Sequence, residues 1–197
     1  MFESNIISVI RLLREERCSS SHDLINHELE EIKMKLIIKH EEEKDFNQIH
    51  HFIEEAFKTA DISDGDEQNF VNTLRQSENY IPELALVAFD DNQLVGHIML
   101  TKFATEKMLL LAPLTVDIHY RGQGIGTMLV KKAFELAKEM NYTSVIVLGA
   151  PSYYSRFGFK PSINFGITCT NPIPPQYVQA VELVESSLDS ANLTITF

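Results

Sequence analysis

The sequence predicts an α/β domain preceded by a pair of helices, and three observations carry that prediction. From Leu36 onward, short apolar runs alternate with amphipathic ones in the order strand, helix, helix, strand, strand, strand, helix, strand, short helix, strand. A glycine-rich bend, Arg121-Gly-Gln-Gly-Ile-Gly126, joins the apolar run 108–116 to an amphipathic run that continues to about Met140. Ahead of this domain, residues 4–17 and 22–34 carry apolar stripes of helical period.

In the first of these stripes Ile6, Val9, Ile10 and Leu13 share one face. After the polar break Cys18-Ser-Ser-Ser21, the second carries Ile25, Leu29 and Ile32, and Ser20-x-x-Asp23 has the form of a capping box. The two helices make a hairpin, and residues 1–33 are read as an extension to a domain over 34–197. The hairpin is a docking element, homodimerisation included, or a local lid over exposed core. Its acidic balance argues against a DNA-reading helix-turn-helix.

Within the domain, residues 36–39 form the first strand. Residues 45–58 place Phe46, Ile49, Ile53, Ala56 and Phe57 on one helical face and leave His50 and His51 outside it, facing solvent. A second helix spans 64–76. Strands 84–89 and 94–101 flank Asp90-Asp-Asn-Gln93 as a hairpin. The fourth strand is 108–116. Ile125, Met128, Leu129, Leu136 and Met140 form the stripe of the third helix, and 143–148 is a buried strand. Asn171-Pro-Ile-Pro-Pro175 must be a loop, with a further strand at 178–184.

The bend at 121–126 is the chain's chemical clue. Glycines let the backbone fold back and approach a ligand closely, while the first N–H groups of the following helix point outward with its positive dipole end. A phosphate fits there, and Arg121 adds a permanent charge of fork-like geometry. Without a ligand the same residues are a strand-to-helix turn. A dinucleotide fold requires Gly-x-Gly-x-x-Gly, but here glycines alternate at 122, 124 and 126, and Thr127 follows. A P-loop requires Gly-Lys-Ser/Thr, and no lysine follows Gly126 until Lys131.

Composition bounds the partners. With 197 residues, 44% hydrophobic and 23% charged, the chain buries a substantial core. No apolar run approaches the roughly 20 residues that span a bilayer, and Glu3 and Arg11 stand where a secretory signal needs an apolar core. The protein reads as cytoplasmic, with no membrane partner. Cys18 and Cys169 suggest neither a disulfide framework nor a zinc site. A net charge of −11 argues against nucleic acid as a partner and favours a cationic one. The run Glu41-Glu42-Glu43 reads as a solvated edge.

Arg121-x-x-Gly124-x-Gly126 resembles the acyl-CoA pyrophosphate loop of the GNAT superfamily of N-acyltransferases. Tyr154-Ser-Arg-Phe-Gly158-Phe159 is similar to that family's Tyr-x-x-x-Gly-Phe signature, and 114–121 to its fourth strand entering the loop. The resemblance covers about residues 36–165. It implies a mixed, mostly antiparallel central sheet flanked by helices, and acetyl-CoA as cosubstrate with no metal. Transfer would go to an amine on a small molecule or peptide. Leu114, Thr115 and Val116 would pair with pantetheine where the fourth and fifth strands splay, the Val116 N–H serving as oxyanion donor. Residues Arg121, Gly122, Gln123, Gly124, Ile125, Gly126 and Thr127 would hold the pyrophosphate, and Tyr154 would protonate the leaving sulfur. Tyr153 takes that role if the register is off by one.

Two departures stand out. A helix-start asparagine that contacts pantetheine in the family falls at Val147 here, and the glutamate base of one branch falls at Met108. Glu106, two residues earlier, is the candidate base on the same strand face. Asp117, His97 and His119 are weaker alternatives, read as surface or turn residues. A water chain or an amine already deprotonated also suffices. A non-catalytic acyl-CoA-binding sensor would share the same loop.

Overall fold

The computed structural model describes residues 35–59, 65–189 and 191–197, so the hairpin expected over 1–33 lies outside the described residues. In chain order the elements are β1 (Leu36–His40), α1 (Phe46–Phe57), α2 (Glu67–Gln76), β2 (Ala85–Asp90), β3 (Gln93–Phe103) and β4 (Thr105–Val116). They continue with α3 (Ile125–Glu139), β5 (Ser144–Leu148), α4 (Pro151–Tyr154), β6 (Lys160–Pro161), β7 (Ile167–Cys169), β8 (Val178–Glu182) and β9 (Leu193–Ile195). The central sheet runs β1-β2-β3-β4-β5-β8-β6, antiparallel at every pairing except β4 with β5. That parallel pair follows from the crossover through α3, which a parallel connection requires.

The expected hairpin is present: Asp91 sits at φ 50° in its turn, a left-handed conformation that aspartate tolerates. Both hairpin strands at β3 and β4 are longer than their apolar runs, reaching Phe103 and starting at Thr105, because backbone pairing continues past the last buried side chain. The helix expected from residue 64 begins at Glu67. The strand expected to reach 184 ends at Glu182.

Register sorts the two faces of the sheet. His97 pairs with Val87 and Thr115, Met99 with Ala85, and Thr101 with Leu110, so these residues share one face. On it α1 and α2 press Ile49, Ile53 and Val71 against Ala85, Val87 and Met99. Further across the same face, Leu110, Ile146 and Ala180 meet Ile167 and Ile195 of a small parallel sheet, β7 with β9, that the sequence did not announce. The opposite face belongs to α3. A methyl group on Gly96 would run into Leu129 and Ile125, so glycine there lets the helix close on the sheet. The stripe of α3 differs from expectation: Ile125, Gly126, Leu129, Val130, Ala133 and Ala137 are buried, while Met128 and Met140 are exposed. Small residues allow that close approach; Met140 is the C-cap, past the last helical residue.

Candidate active site

β4 and β5 pair only from Met108↔Ser144 to Leu111↔Val147, whereas β4 continues alongside β3 as far as Val116↔Gly96. Beyond Leu111 the two strands part. The Asp117 N–H donates to the Val95 carbonyl at 3.0 Å, so by strand alternation the N–H groups of Val116 and Leu114 point away from β3 and into the gap. A cleft of roughly 1800 Å³ passes through this opening. Pockets that hold one drug-sized ligand are about 300–1,000 Å³, so the cleft has room for two reactants.

One end of the cleft is the glycine loop. Gly122 and Gly124 have φ of 80° and 88°, and a methyl on either would meet only open space. Gly124 is the N-cap of α3, whose first intrahelical bond is Met128 N–H to the Gly124 carbonyl. The N–H groups of residues 124–127 therefore have no acceptor inside the helix. Side chains brace the turn: the Tyr120 hydroxyl donates to Asp90 at 3.2 Å, and Gln123 Nε2 to the His119 carbonyl at 3.0 Å. Arg121 is a brace as well. Its Nη2 donates to the Ala56 carbonyl near the end of α1 at 3.0 Å and its Nε to the Val116 carbonyl at 3.2 Å. Nε and Nη2 are thus engaged by carbonyls, and Nη1, the charge and the backbone donors are what remain for an anion. Leu114, Thr115, Val116, Arg121, Gly122, Gly124, Ile125, Gly126 and Thr127 all line the cleft; Gln123 turns away from it.

At the gap stand two tyrosines. Tyr154 lies against Gly149, where any side chain would collide with its ring, and the Tyr153 hydroxyl lies against Gly126, where a side chain would collide with that oxygen. The two rings meet edge to face at 5.1 Å. No hydrogen bond holds the Tyr154 hydroxyl among the described residues. Burial first, and the neighbouring Tyr153 second, push its ionisation well above the ordinary phenol range, so it stays a proton-bearing donor.

Glu106 is not brought to this cleft. It does share a strand face with Met108, but eight residues of strand, about 25 Å, separate it from Leu114. It lines a different depression, with Asn79 and Lys102. Asp117 is exposed and accepts the His119 N–H at 2.8 Å, capping a short turn. His97, expected at a surface or turn, is fully buried. Its Nε2 bonds Glu41 Oε2 at 3.0 Å, and Glu41 in turn accepts two bonds from Arg75 and one from the Tyr80 hydroxyl at 2.8 Å each. Glu41 is consequently buried, not a solvated edge, although it opens the acidic run. Burial holds His97 below its ordinary range, hence neutral and donating through Nε2. Sequence reasoning also missed the wall formed by Glu67, Phe70, Tyr177 and Phe197. No sequence pattern joined these residues; chain topology brings them together.

Comparison with known proteins agrees with this geometry. The profile of the Acetyltransferase (GNAT) family matches residues 46–159. The uncharacterised N-acetyltransferase YjhQ of Escherichia coli K12 is 32% identical over 167 residues, covering 75% of this chain and 91% of that protein. The crystal structure of the E. coli GNAT family N-acetyltransferase YhbS in complex with CoA superimposes with a TM-score of 0.75 at 26% identity, covering 83% of this chain and 90% of that one. A Brucella melitensis GNAT family acetyltransferase in complex with acetyl-CoA gives 0.63 at 26% identity, covering 76% and 88%. With the family profile spanning more than half of its length, and the glycine loop, strand gap and tyrosine in one cleft, the chain belongs to the GNAT acetyltransferase family.

Proposed function

We propose that this chain transfers the acetyl group of acetyl-CoA to a primary amine by direct attack on the thioester, with residues 34–197 as the catalytic domain and 1–33 as an extension. The observation that carries this reading is the gap between β4 and β5, which links the glycine loop on the α3 face to a groove on the other face, with the Tyr154 hydroxyl beside the passage. The N–H groups of Gly122 and residues 124–127 would receive the pyrophosphate, which suits a helix N-terminus. Leu114 and Val116 would pair with pantetheine. As the amine nitrogen bonds to the carbonyl carbon, the Val116 N–H donates to the oxygen that gains charge, a bond worth about 3 kcal/mol when preorganised. The carbon–sulfur bond then breaks, and Tyr154 donates its proton to the departing sulfur. Burial makes full phenolate formation unfavourable, so this step needs the proton returned from water as product leaves. Glu106 has no part in the proposal because of its distance. The amine sheds its proton to water.

The test is release of free CoA thiol from acetyl-CoA in the presence of an amine panel. Amine-dependent release supports transfer. Binding of acetyl-CoA without release from any amine would identify a non-catalytic acyl-CoA-binding module instead.

A further inference from the structure

The groove on the face opposite the glycine loop has a chemistry of its own. α1 and α2 supply Phe57, Glu67 and Phe70 to one wall, and the C-terminal segment supplies Ile173, Tyr177 and Phe197 to the other. Phe70 and Phe197 are 45% and 37% exposed despite their size, and such apolar surface gathered in one concavity marks a binding site more than chance exposure does. Phe197 is held in position: its ring stacks on Phe103 at 5.4 Å and its N–H donates to Asn171 Oδ1 at 2.8 Å.

Glu67 occupies the first position of α2, a favourable place for negative charge. Its Oε2 is buried with no hydrogen-bond partner among the described residues. A carboxylate oxygen shielded from water and left unpaired is costly, and an incoming cation relieves that cost. Two cations line the cleft, and neither is hydrogen-bonded to Glu67 among the described residues. Arg121 is bonded to the Ala56 and Val116 carbonyls, and Arg156 lies over the Tyr153 ring at 4.6 Å while bonding the Tyr153 carbonyl. An acceptor bearing its own carboxylate beside the nitrogen would bring that negative charge against Glu67. The wall is also fixed, because Arg75 at the other end of α2 is tied to buried Glu41.

We infer that this groove selects a primary amine carried on an apolar, aromatic body with no carboxylate next to the nitrogen, and that Glu67 pairs with its ammonium group. The inference rests on the acetyl-transfer reading above and names the acceptor class for it. The aromatic walls receive the body, Glu67 receives the charge, and the nitrogen reaches the thioester through the β4–β5 gap after losing a proton to water.

The test compares three acceptors in the thiol-release assay: 2-phenylethylamine, the free amino acid L-phenylalanine with the same ring plus a carboxylate, and spermidine with charge but no ring. The expected KM for 2-phenylethylamine lies at least tenfold below either of the others. Glu67→Gln should raise that KM at least fivefold, with the loss falling on KM and the acetyl-CoA-induced thermal shift unchanged. Phe70→Ala should act in the same direction, and Phe70→Leu less. A lower KM for the amino acid or spermidine overturns the assignment while leaving acetyl transfer standing, as does an unchanged KM in Glu67→Gln. Silence from every amine, with the thermal shift intact, overturns the transfer reading and this one with it.

Discussion

Arg75 on α2 grips Glu41, in the loop after β1, with Nε on Oε1 and Nη2 on Oε2, each at 2.8 Å, and the two side chains are only 5% and 0% exposed. The guanidinium also lies 4.1 Å from the centre of the Phe46 ring. A planar fork on a carboxylate is the geometry for which arginine outperforms lysine. This contact fastens α2, and with it one wall of the groove, to the sheet.

Removing one partner should therefore cost far more than a surface ion pair would. Arg75→Met leaves the Glu41 carboxylate buried with only His97 and Tyr80 as donors, and the expected loss is about 3–5 kcal/mol in urea unfolding at neutral pH. A loss below about 1 kcal/mol would mean that water reaches the pair and that α2 is held by its apolar contacts alone.

The same cluster makes stability depend on acid. Burial alone would push the Glu41 carboxyl up, but hydrogen bonds from Arg75 and His97 outweigh it and bring it down to about 2 from an ordinary 4.5. The unfolded chain thus binds this proton more tightly, so the stabilisation present above about pH 4.5 is lost as pH falls toward 2. His97, lowered by burial, is also protonated more readily when unfolded, so its loss begins below about pH 6.5. Urea midpoints measured from pH 8 down to about pH 2.5 should be flat at the top, fall below about 6.5 and fall further below about 4.5. In Glu41→Gln the carboxylate part of that slope should disappear.

Tyr154→Phe keeps the ring against Gly149 and deletes the hydroxyl. Turnover should fall at least about tenfold, since general-acid assistance contributes 10²–10⁴-fold, while acetyl-CoA affinity holds. Gly149→Ala should lower turnover by a different route, pushing the Tyr154 ring out of place. Because the phenol ionises well above its ordinary range, wild-type rates should show no alkaline limb attributable to Tyr154 below pH 10. Full activity in Tyr154→Phe with a large loss in Tyr153→Phe would move the donor role to Tyr153.

The parts of this molecule that were legible in sequence are those encoded by neighbouring residues. The 121–126 bend, the α1 face of Ile49, Ile53 and Ala56, the β2–β3 hairpin and the tyrosine before Gly158-Phe159 each carry a local pattern, and each is present in the structure. What was missed depends on distant partners. Glu41 looks like its neighbours Glu42 and Glu43, and Arg75, Tyr80 and His97, at 34, 39 and 56 residues away, distinguish it. β7 and β9 are three residues each, too short for a period to register, and they pair segments 26 residues apart. Their pairing is what brings the C-terminal Phe197 to the cleft. Glu106 lies away from the cleft for a related reason: alternation along a strand gives the face correctly but says nothing about distance along it. Arg121 was read for its charge, and its actual partners, two backbone carbonyls, are contributed by α1 and β4.

Whether the glycine loop holds the pyrophosphate of acetyl-CoA is read most directly from the thermal midpoint with and without acetyl-CoA, in wild type and in Gly124→Asp. A hundredfold excess over Kd adds about 2.7 kcal/mol to the native state, or about 5–10 °C in a chain of this size. Gly124→Asp projects a negative side chain into the open space that the anion would enter, and at φ 88° it also costs the apo protein about 1–2 kcal/mol, so each protein is compared with its own apo midpoint. A clear upward shift is expected in wild type and none in Gly124→Asp. Equal shifts in both proteins would contradict it.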